Sequence, residues 1–159
     1  MKNKLKIYFF WIIILLFSNN FSSADEFTFN ASEIIVLNNE NKLKAINGVE
    51  ILTKDGVKIT GDQFEYYKNE NKLIIFGNVN LFDELNKVNV EGKEIIYFKK
   101  KEHLFIKGNS TAVIDDQYFV ESKDLNLYRK EGLLSSKNKT KIKDKLNNLL
   151  MLDEFIYSN

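Results

Sequence analysis

The sequence predicts an all-β protein made of about four to five stacked repeats of roughly 30 residues, each supplying two strands. Three observations lead to this prediction: two series of similar segments that recur with one spacing, an apolar–polar alternation of period two inside them, and a composition rich in strand-forming residues. The 159 residues include 13 Phe and 7 Tyr but no proline. Aromatic and β-branched side chains favour strands over helices.

The first series is a leucine register. Leu43, Leu73, Leu104 and Leu134 follow one another at steps of 30, 31 and 30 residues. The second series consists of the segments "ASEIIVL", "GDQFEYY", "GKEIIYF", "SKDLNLY" and "LDEFIYS", whose first residues lie 30, 31, 30 and 30 positions apart. Two separate series with the same spacing indicate a repeat architecture, in which neighbouring units stack and bury a common apolar interior.

The N-terminal segment differs in composition from the repeats. "MKNKLK" carries three lysines, Ile7–Phe17 is a run of eleven apolar residues, and Ser22 and Ala24 form a small-x-small cleavage pattern. This order predicts a helical signal peptide over residues 1–24 and a mature domain over residues 25–159. An uncleaved membrane anchor is the alternative, but a membrane span needs about 20 apolar residues.

Inside each repeat the periodicity is that of a strand. In the segment "KLIIFGNVNLF", apolar residues occupy alternate positions that share one face of a strand, namely Leu73, Ile75, Val79 and Leu81. A small residue then interrupts the alternation at Gly61, Gly92 and Ser122. Glycine inside a strand often marks a bend, so we expect the chain to pass there from one sheet to another.

The fourth repeat departs from this pattern. In "LLSSKNKTKIK", Ser136, Asn138 and Thr140 stand where the other repeats have apolar or turn residues. This unit is interpreted either as a cap or as a place where the interior narrows or opens.

The chain carries little that could perform chemistry. His103, the sole histidine, is interpreted as a solvated turn residue, because no cysteine or second histidine could join it in a catalytic or metal site. Asp83–Glu84 and Asp115–Asp116 are expected in hairpin turns. Lys99–Lys101 reads as a solvated hairpin tip, with contact to a lipid phosphate as the alternative. No enzyme activity, cofactor or metal site is predicted.

The net charge of +1 does not favour nucleic acid as a partner. The repeat itself is similar to a known family. The segments "INGVEIL", "FGNVNLF" and "IKGNSTAV", behind an export signal, resemble the organic-solvent-tolerance (OstA, LptA-like) domain of the lipopolysaccharide transport system. The resemblance covers residues 27–157, and is strongest to the N-terminal periplasmic domain of the outer-membrane assembly protein LptD or to the periplasmic bridge LptA.

This resemblance implies a V-shaped, open β-jellyroll, often called a β-taco, in the periplasm of a Gram-negative bacterium. It implies a non-enzymatic module that shields the acyl chains of lipopolysaccharide (its lipid A part) and passes the lipid towards the outer membrane. Sister β-jellyroll domains of the transport bridge would dock head to tail by edge-strand pairing. The first mature strand, "EFTFNASEIIVL", has no proline or lysine that would block such pairing.

The predicted lipid-binding groove is lined by the alternate positions of each strand that carry apolar side chains. Its residues are Ile34, Val36, Leu43, Ala45, Val49, Ile51, Phe64, Tyr66, Leu73, Ile75, Val79, Leu81, Ile95, Tyr97, Leu104, Ile106, Leu125 and Leu127. Packed core is the alternative role for these side chains, because apolar alternation usually marks a core. A slip of one residue after a bend would exchange the two faces.

Two other functions stay open at this point. One is a structural or adhesive β-solenoid, whose interior would be sealed where a lipid carrier needs an apolar groove. The other is the N-terminal fragment of a full translocon that lacks its barrel, because the sequence stops in mid-repeat at "LDEFIYSN".

Overall fold

The chain folds into one antiparallel sheet of twelve strands in the computed structural model, which describes residues 27–38 and 41–158. The strands are β1 Phe27–Leu37, β2 Lys42–Thr53, β3 Val57–Gly61, β4 Gln63–Tyr67, β5 Lys72–Asp83, β6 Val88–Phe98, β7 His103–Ile114, β8 Tyr118–Tyr128, β9 Leu133–Ser136, β10 Thr140–Asp144, β11 Leu149–Leu152 and β12 Phe155–Ser158. Two single 3₁₀ turns, Lys68–Glu70 and Lys99–Lys101, join neighbouring strands. The predicted all-β fold is therefore confirmed.

The predicted signal peptide, residues 1–24, lies outside the described residues. Within the described part of the chain, no helix has the length and apolar character needed to cross a membrane.

A line that crosses the long strands near their middle divides the sheet into two halves, which we call arm A and arm B. Arm A contains residues 27–31, 49–53, 57–61, 79–83, 88–92, 110–114, 118–122, 140–144 and 149–152. Arm B contains residues 33–37, 42–46, 63–67, 72–76, 94–98, 103–107, 124–128, 133–136 and 155–158. Long strands such as β5 run through both arms, whereas β3 and β4 each belong to one arm.

The boundary between the arms is a line of strand irregularities. The pairing register shifts between Phe76 and Val79 of β5, and similar shifts occur in β1, β6 and β7. Gly77 has a φ of +72° there, and a Cβ atom at this position would lie 2.2 Å from the Asp62 carboxylate. The strands bend at this line because the extra residues break the ladder and the backbone enters a left-handed conformation.

Because of the bend, the apolar faces of the two arms pack against each other. The Phe29 ring of arm A stacks on the Phe64 ring of arm B with centroids 4.6 Å apart. Phe27 of arm A makes an edge contact with Tyr97 of arm B at 6.0 Å. The result is the V-shaped β-jellyroll that the resemblance implied, with the bend at its vertex and the hairpin turns along the opposite seam.

In the fourth repeat the small polar residues lie at the vertex. Thr140 is fully buried and its hydroxyl lies 2.8 Å from the Ser122 hydroxyl. Ser136 is also buried and donates a hydrogen bond to the backbone carbonyl of Lys123 at 2.7 Å. These hydroxyl groups satisfy one another and the backbone, so their burial leaves none of them unpaired.

The interpretation of His103 was wrong, and the interpretations of Asp83–Glu84 and Lys99–Lys101 were each wrong for one residue. His103 is the first residue of β7, not a solvated turn residue, and its ring stacks on the Tyr128 ring at 4.4 Å. Asp83 ends β5 and is fully buried. Lys99 does lie in a hairpin turn, but its side chain is 15% exposed and paired with Asp55.

We predict that Gly77→Ala destabilises the fold more than Gly48→Ala does. Both glycines have positive φ, which costs a side-chain-bearing residue roughly 1–2 kcal/mol. Only at position 77 does the added methyl group meet a neighbour, Asp62, and such overpacking costs roughly 1–3 kcal/mol more. Urea unfolding of the two variants measures the difference, and equal losses would show that the vertex is loosely packed.

Candidate functional site

The interior between the two arms collects most of the predicted groove residues. Fourteen of the eighteen are at most 5% exposed: Ala45, Val49, Ile51, Phe64, Leu73, Ile75, Val79, Leu81, Ile95, Tyr97, Leu104, Ile106, Leu125 and Leu127. Leu43 and Tyr66 are partly buried and pack against this cluster. The alternation in the sequence therefore identified the inward face on both sides of the bend.

Ile34 and Val36 differ from the other sixteen, because they are 45% and 56% exposed. They pair with Ala45 and Leu43 of β2, so their side chains lie on the inward face of arm B. Both lie on β1, which among the described residues has a neighbouring strand on one side only. With the half-buried Tyr66 they form an apolar rim, which we call the N-terminal mouth.

Sequence reasoning missed several inward residues. Val57, Ile59, Val88, Val90, Ala112, Ile114 and Val120 of arm A are at most 2% exposed, and Leu134 of arm B is 1% exposed. Short alternating segments such as "VKI" and "VNV" carry this signal. The alternation signal is weak because each segment offers only two apolar positions. The 30-residue repeat could still have indicated that these apolar residues face arm B.

Both ends of the sheet present an unpaired strand edge. Among the described residues, β1 pairs only with β2, β11 only with β10, and β12 only with β9. The edge formed by β11 and β12 carries exposed apolar side chains, with Met151 63% and Ile156 74% exposed. Unpaired backbone donors and acceptors beside apolar side chains are suited to adding a further strand.

One cleft among the described residues does not coincide with the apolar interior. It measures about 650 Å³ and is lined by residues such as Glu91, Lys93, Lys123 and Lys139, and none of the predicted groove residues contributes to it. The apolar interior is instead filled by its own side chains. An acyl chain has room between the arms only when they move apart, or at the mouth.

The seam opposite the vertex is bridged by a charged cluster that sequence reasoning did not find. Arg129, the only arginine in the sequence, follows β8 at the tip of arm B and its side chain is 1% exposed. Its guanidinium donates to the Asp83 carboxylate of arm A, with Nε 2.6 Å from Oδ2 and Nη2 3.3 Å from Oδ1. Arg129 is also paired with Asp55, in the β2–β3 turn of arm A.

Further contacts complete this group, which we call the seam cluster: Asp55, Asp83, Lys99, Glu102 and Arg129. Lys99 of arm B lies 3.0 Å from the Asp55 carboxylate, and Glu102 of arm B lies 3.3 Å from Arg129. The cluster therefore holds the tips of the two arms together at four hairpin turns. A lone arginine among many lysines was the only sequence signal, since its planar fork suits buried carboxylates better than an ammonium does.

The electrostatics of the seam cluster favour the charged forms. Burial opposes ionisation of Asp55, but hydrogen bonds from Thr53, Arg129 and Lys99 outweigh it and hold the pKa of the carboxyl below its ordinary value. Burial also raises the pKa of the neighbouring Tyr97 hydroxyl, although Lys99 and Arg129 oppose the shift. At neutral pH Asp55 is therefore a carboxylate, paired with Lys99 and Arg129 of arm B.

Within residues 27–38 and 41–158, no three His, Cys, Asp or Glu side chains come together where they could hold a metal ion. What the described interior offers is a long apolar volume closed by a polar seam. Such a volume favours alkyl chains by desolvation and imposes no directional bonds on them.

Among known proteins, only the comparison with solved structures found a fold like this one. No protein-family model and no curated protein matches the sequence. Among solved structures, the chain is similar to LptH, described as the LptA homologous periplasmic component of the conserved lipopolysaccharide transport device from Pseudomonas aeruginosa. The TM-score is 0.64 at 10% sequence identity, over 79% of this chain and 93% of LptH. The chain has the LptA-like β-jellyroll fold.

The LptA-like assignment rests on fold alone, because 10% identity is too low to carry over binding or partners. A second solved structure, the TCP10 domain of Danio rerio CPAP with a peptide of STIL, covers 80% of this chain and 83% of its own at 12% identity. Its TM-score is 0.18, so it carries no argument.

We predict that the contribution of the seam cluster to the stability of the LptA-like fold is lost at low pH. A carboxyl whose pKa is lowered on folding stabilises the fold above its unfolded pKa of about 3.9, and this contribution is lost as the pH falls through the folded pKa. Urea midpoints from pH 7 to pH 2 should show wild type above Asp55→Asn at neutral pH and the gap closing in acid.

The control for this pH series is Asp116→Asn, which removes an exposed carboxylate that makes no ion pair among the described residues. Its gap to wild type should be small at every pH. A gap for Asp55→Asn that stays constant down to pH 2 would contradict the ionised state of the cluster.

Proposed function

We propose that the protein is a non-enzymatic, periplasmic lipopolysaccharide-binding module that shields acyl chains and passes the lipid towards the outer membrane. The observation that carries the proposal is an apolar interior running between two arms to an unpaired strand edge at each end. The LptA-like fold supports it, since LptH, with the same fold, is a component of a lipopolysaccharide transport device. The signal-like segment at residues 1–24 supports export.

In this proposal, lipid binding replaces contacts between the apolar side chains of the two arms with contacts between those side chains and the acyl chains. Fourteen predicted groove residues are packed against one another, so the arms separate when an acyl chain lies between them. Each methylene group removed from water contributes about 0.8 kcal/mol, which offsets the core contacts that are lost. The N-terminal mouth is the natural starting point, because Ile34 and Val36 are already exposed there.

Transfer between modules would use the strand edges. Within the described part of arm A, β1 at one end and β11 at the other have no strand on their outer side. Head-to-tail docking of related β-jellyroll domains would continue the sheet by backbone hydrogen bonds and would align one apolar interior with the next. A free bridge protein and the N-terminal domain of a translocon would use these edges in the same way.

The closed interior favours a second candidate, a structural β-solenoid with a sealed core. Residues such as Ile75 and Ile106 are fully buried, as a sealed core requires. The two candidates differ in whether the arms separate to admit a lipid.

We predict that lipopolysaccharide is captured by photo-crosslinking residues on the inward face and not on the outward face. The matched pair is Val36 and Leu37, neighbours on β1 that are 56% and 40% exposed and point to opposite faces. A probe at Val36 should capture the lipid and a probe at Leu37 should not. A third probe at Ile106 reports on the interior itself.

Equal capture from Val36 and Leu37 would remove the groove assignment. Capture at Val36 without capture at Ile106 would limit the lipid to the mouth. If a folded protein gives no capture at any of the three positions, the sealed solenoid is the better description.

We predict that head-to-tail docking brings β1 of one molecule beside β11 of the next. The chain contains no cysteine, so introduced cysteines report without background. A mixture of Thr28→Cys and Met151→Cys should form disulfide-linked dimers under mild oxidation, because both side chains are exposed on edge strands of arm A. Non-reducing electrophoresis measures the yield.

The control mixture is Lys58→Cys with Met151→Cys, because Lys58 is equally exposed but lies on β3, inside the sheet. Dimers at the same yield from both mixtures would indicate random collision and would contradict edge-strand docking.

A further inference from the structure

The seam cluster is divided between the arms by charge. Asp55 and Asp83 belong to arm A, whereas Lys99 and Arg129 belong to arm B. Glu102 also lies on arm B and contacts Arg129 at 3.3 Å. Arm A therefore contributes two negative charges to the seam, and arm B contributes two positive charges and one negative charge.

This division matters when the arms separate, because the carboxylates move away with arm A and the cations stay on arm B. Arg129 then keeps Glu102 as its only carboxylate partner in the cluster, and Lys99 loses Asp55. The cluster residues of arm B, Lys99, Glu102 and Arg129, then carry a net positive charge of one. A partly buried cation without a counter-ion is costly, so an open state is favoured by any anion that takes the place of the two aspartates.

The position of the cluster indicates which anion that is. Acyl chains between the arms leave a polar headgroup at the seam, since the packed residues between the arms are apolar apart from a few hydroxyl groups such as that of Tyr97. The seam is formed by the hairpin tips that carry Lys99 and Arg129. A phosphate monoester suits this pair, because guanidinium groups bind phosphate through two parallel hydrogen bonds and an ammonium adds a point charge.

We propose that Arg129 and Lys99 form a phosphate-recognition site for the headgroup of a bound phosphorylated glycolipid, masked by Asp55 and Asp83 while the arms are closed. This inference rests on the proposed function. In the lipid-free form the aspartates close the seam, and in the lipid-bound form the phosphate takes their place. The cluster thus couples closure of the lipid-free interior to selection of a phosphorylated ligand.

The experiment compares three probes: lipid A with both phosphates, the same lipid A after enzymatic removal of its phosphates, and inorganic phosphate. Wild type should bind the phosphorylated lipid on the order of tenfold more tightly than the dephosphorylated one, as expected for a charge-assisted contact. Inorganic phosphate should neither bind measurably nor compete, since without acyl chains the arms stay closed over the site.

Three variants separate recognition from stability. Lys99→Gln should reduce the preference for the phosphorylated lipid several-fold, while Lys100→Gln, in the same turn but exposed and unpaired among the described residues, should not. Asp55→Asn removes the competing charge and keeps both cations. It should therefore raise affinity for the phosphorylated lipid although it lowers stability.

A purely structural cluster gives the opposite pattern for Asp55→Asn, with both lipids bound more weakly or both unchanged. Equal affinity of wild type for the two lipids, unaltered by Lys99→Gln, would overturn the phosphate site and leave the proposed function intact. Binding of neither lipid would overturn both. Inorganic phosphate binding or competing at a concentration similar to that of the lipid would identify free phosphate as the ligand and overturn the headgroup assignment.

Discussion

The bend in the middle of each long strand is the constraint on which the rest of the structure depends. A flat sheet of these strands would leave one apolar face in water. The left-handed backbone at Gly77 and its counterparts, with the accompanying register shifts, turns the sheet back on itself. The inward faces of arms A and B then bury each other, and no second domain is needed to cover them.

The same bend explains why the seam is polar. The hairpin turns of both arms meet at the side opposite the vertex, where turn residues such as Asp55 and Glu102 are common for local reasons. Arg129 joins the two arms at this seam, because its side chain extends from the tip of arm B and pairs with Asp83 and Asp55 of arm A. The closed state therefore depends on apolar packing along its length and on ion pairs at one edge.

These two kinds of contact respond differently to a lipid. Acyl chains can replace apolar packing without strong geometric demands, since desolvation is non-directional. Ion pairs are replaced only by groups of matching charge. A carrier of the proposed kind would tolerate varied acyl chains and still discriminate between headgroups. Among the described residues, β1 and β11 each pair on one side only, which suits the proposed addition of further strands.

Much of the inward face was predictable from the sequence, and the reason is local. Side chains alternate strictly along a strand, so Leu73 and Ile75 must share a face whatever surrounds them. The left-handed turns also leave local signals in Gly48, Gly77 and Gly108. His103 was not predictable in the same way, because its stacking on Tyr128 joins residues 25 positions apart on neighbouring strands.

The sequence by itself determined the repeat, its strands, their bends and the apolar parity of each strand, because these depend on neighbours along the chain and on a regular spacing. Only the tertiary structure decided that the interior is filled, that Ile34 and Val36 remain exposed, and that Arg129 closes the seam. Those facts depend on how two arms approach each other. Asp83 and Arg129 are 46 residues apart in the chain, and no local pattern connects them.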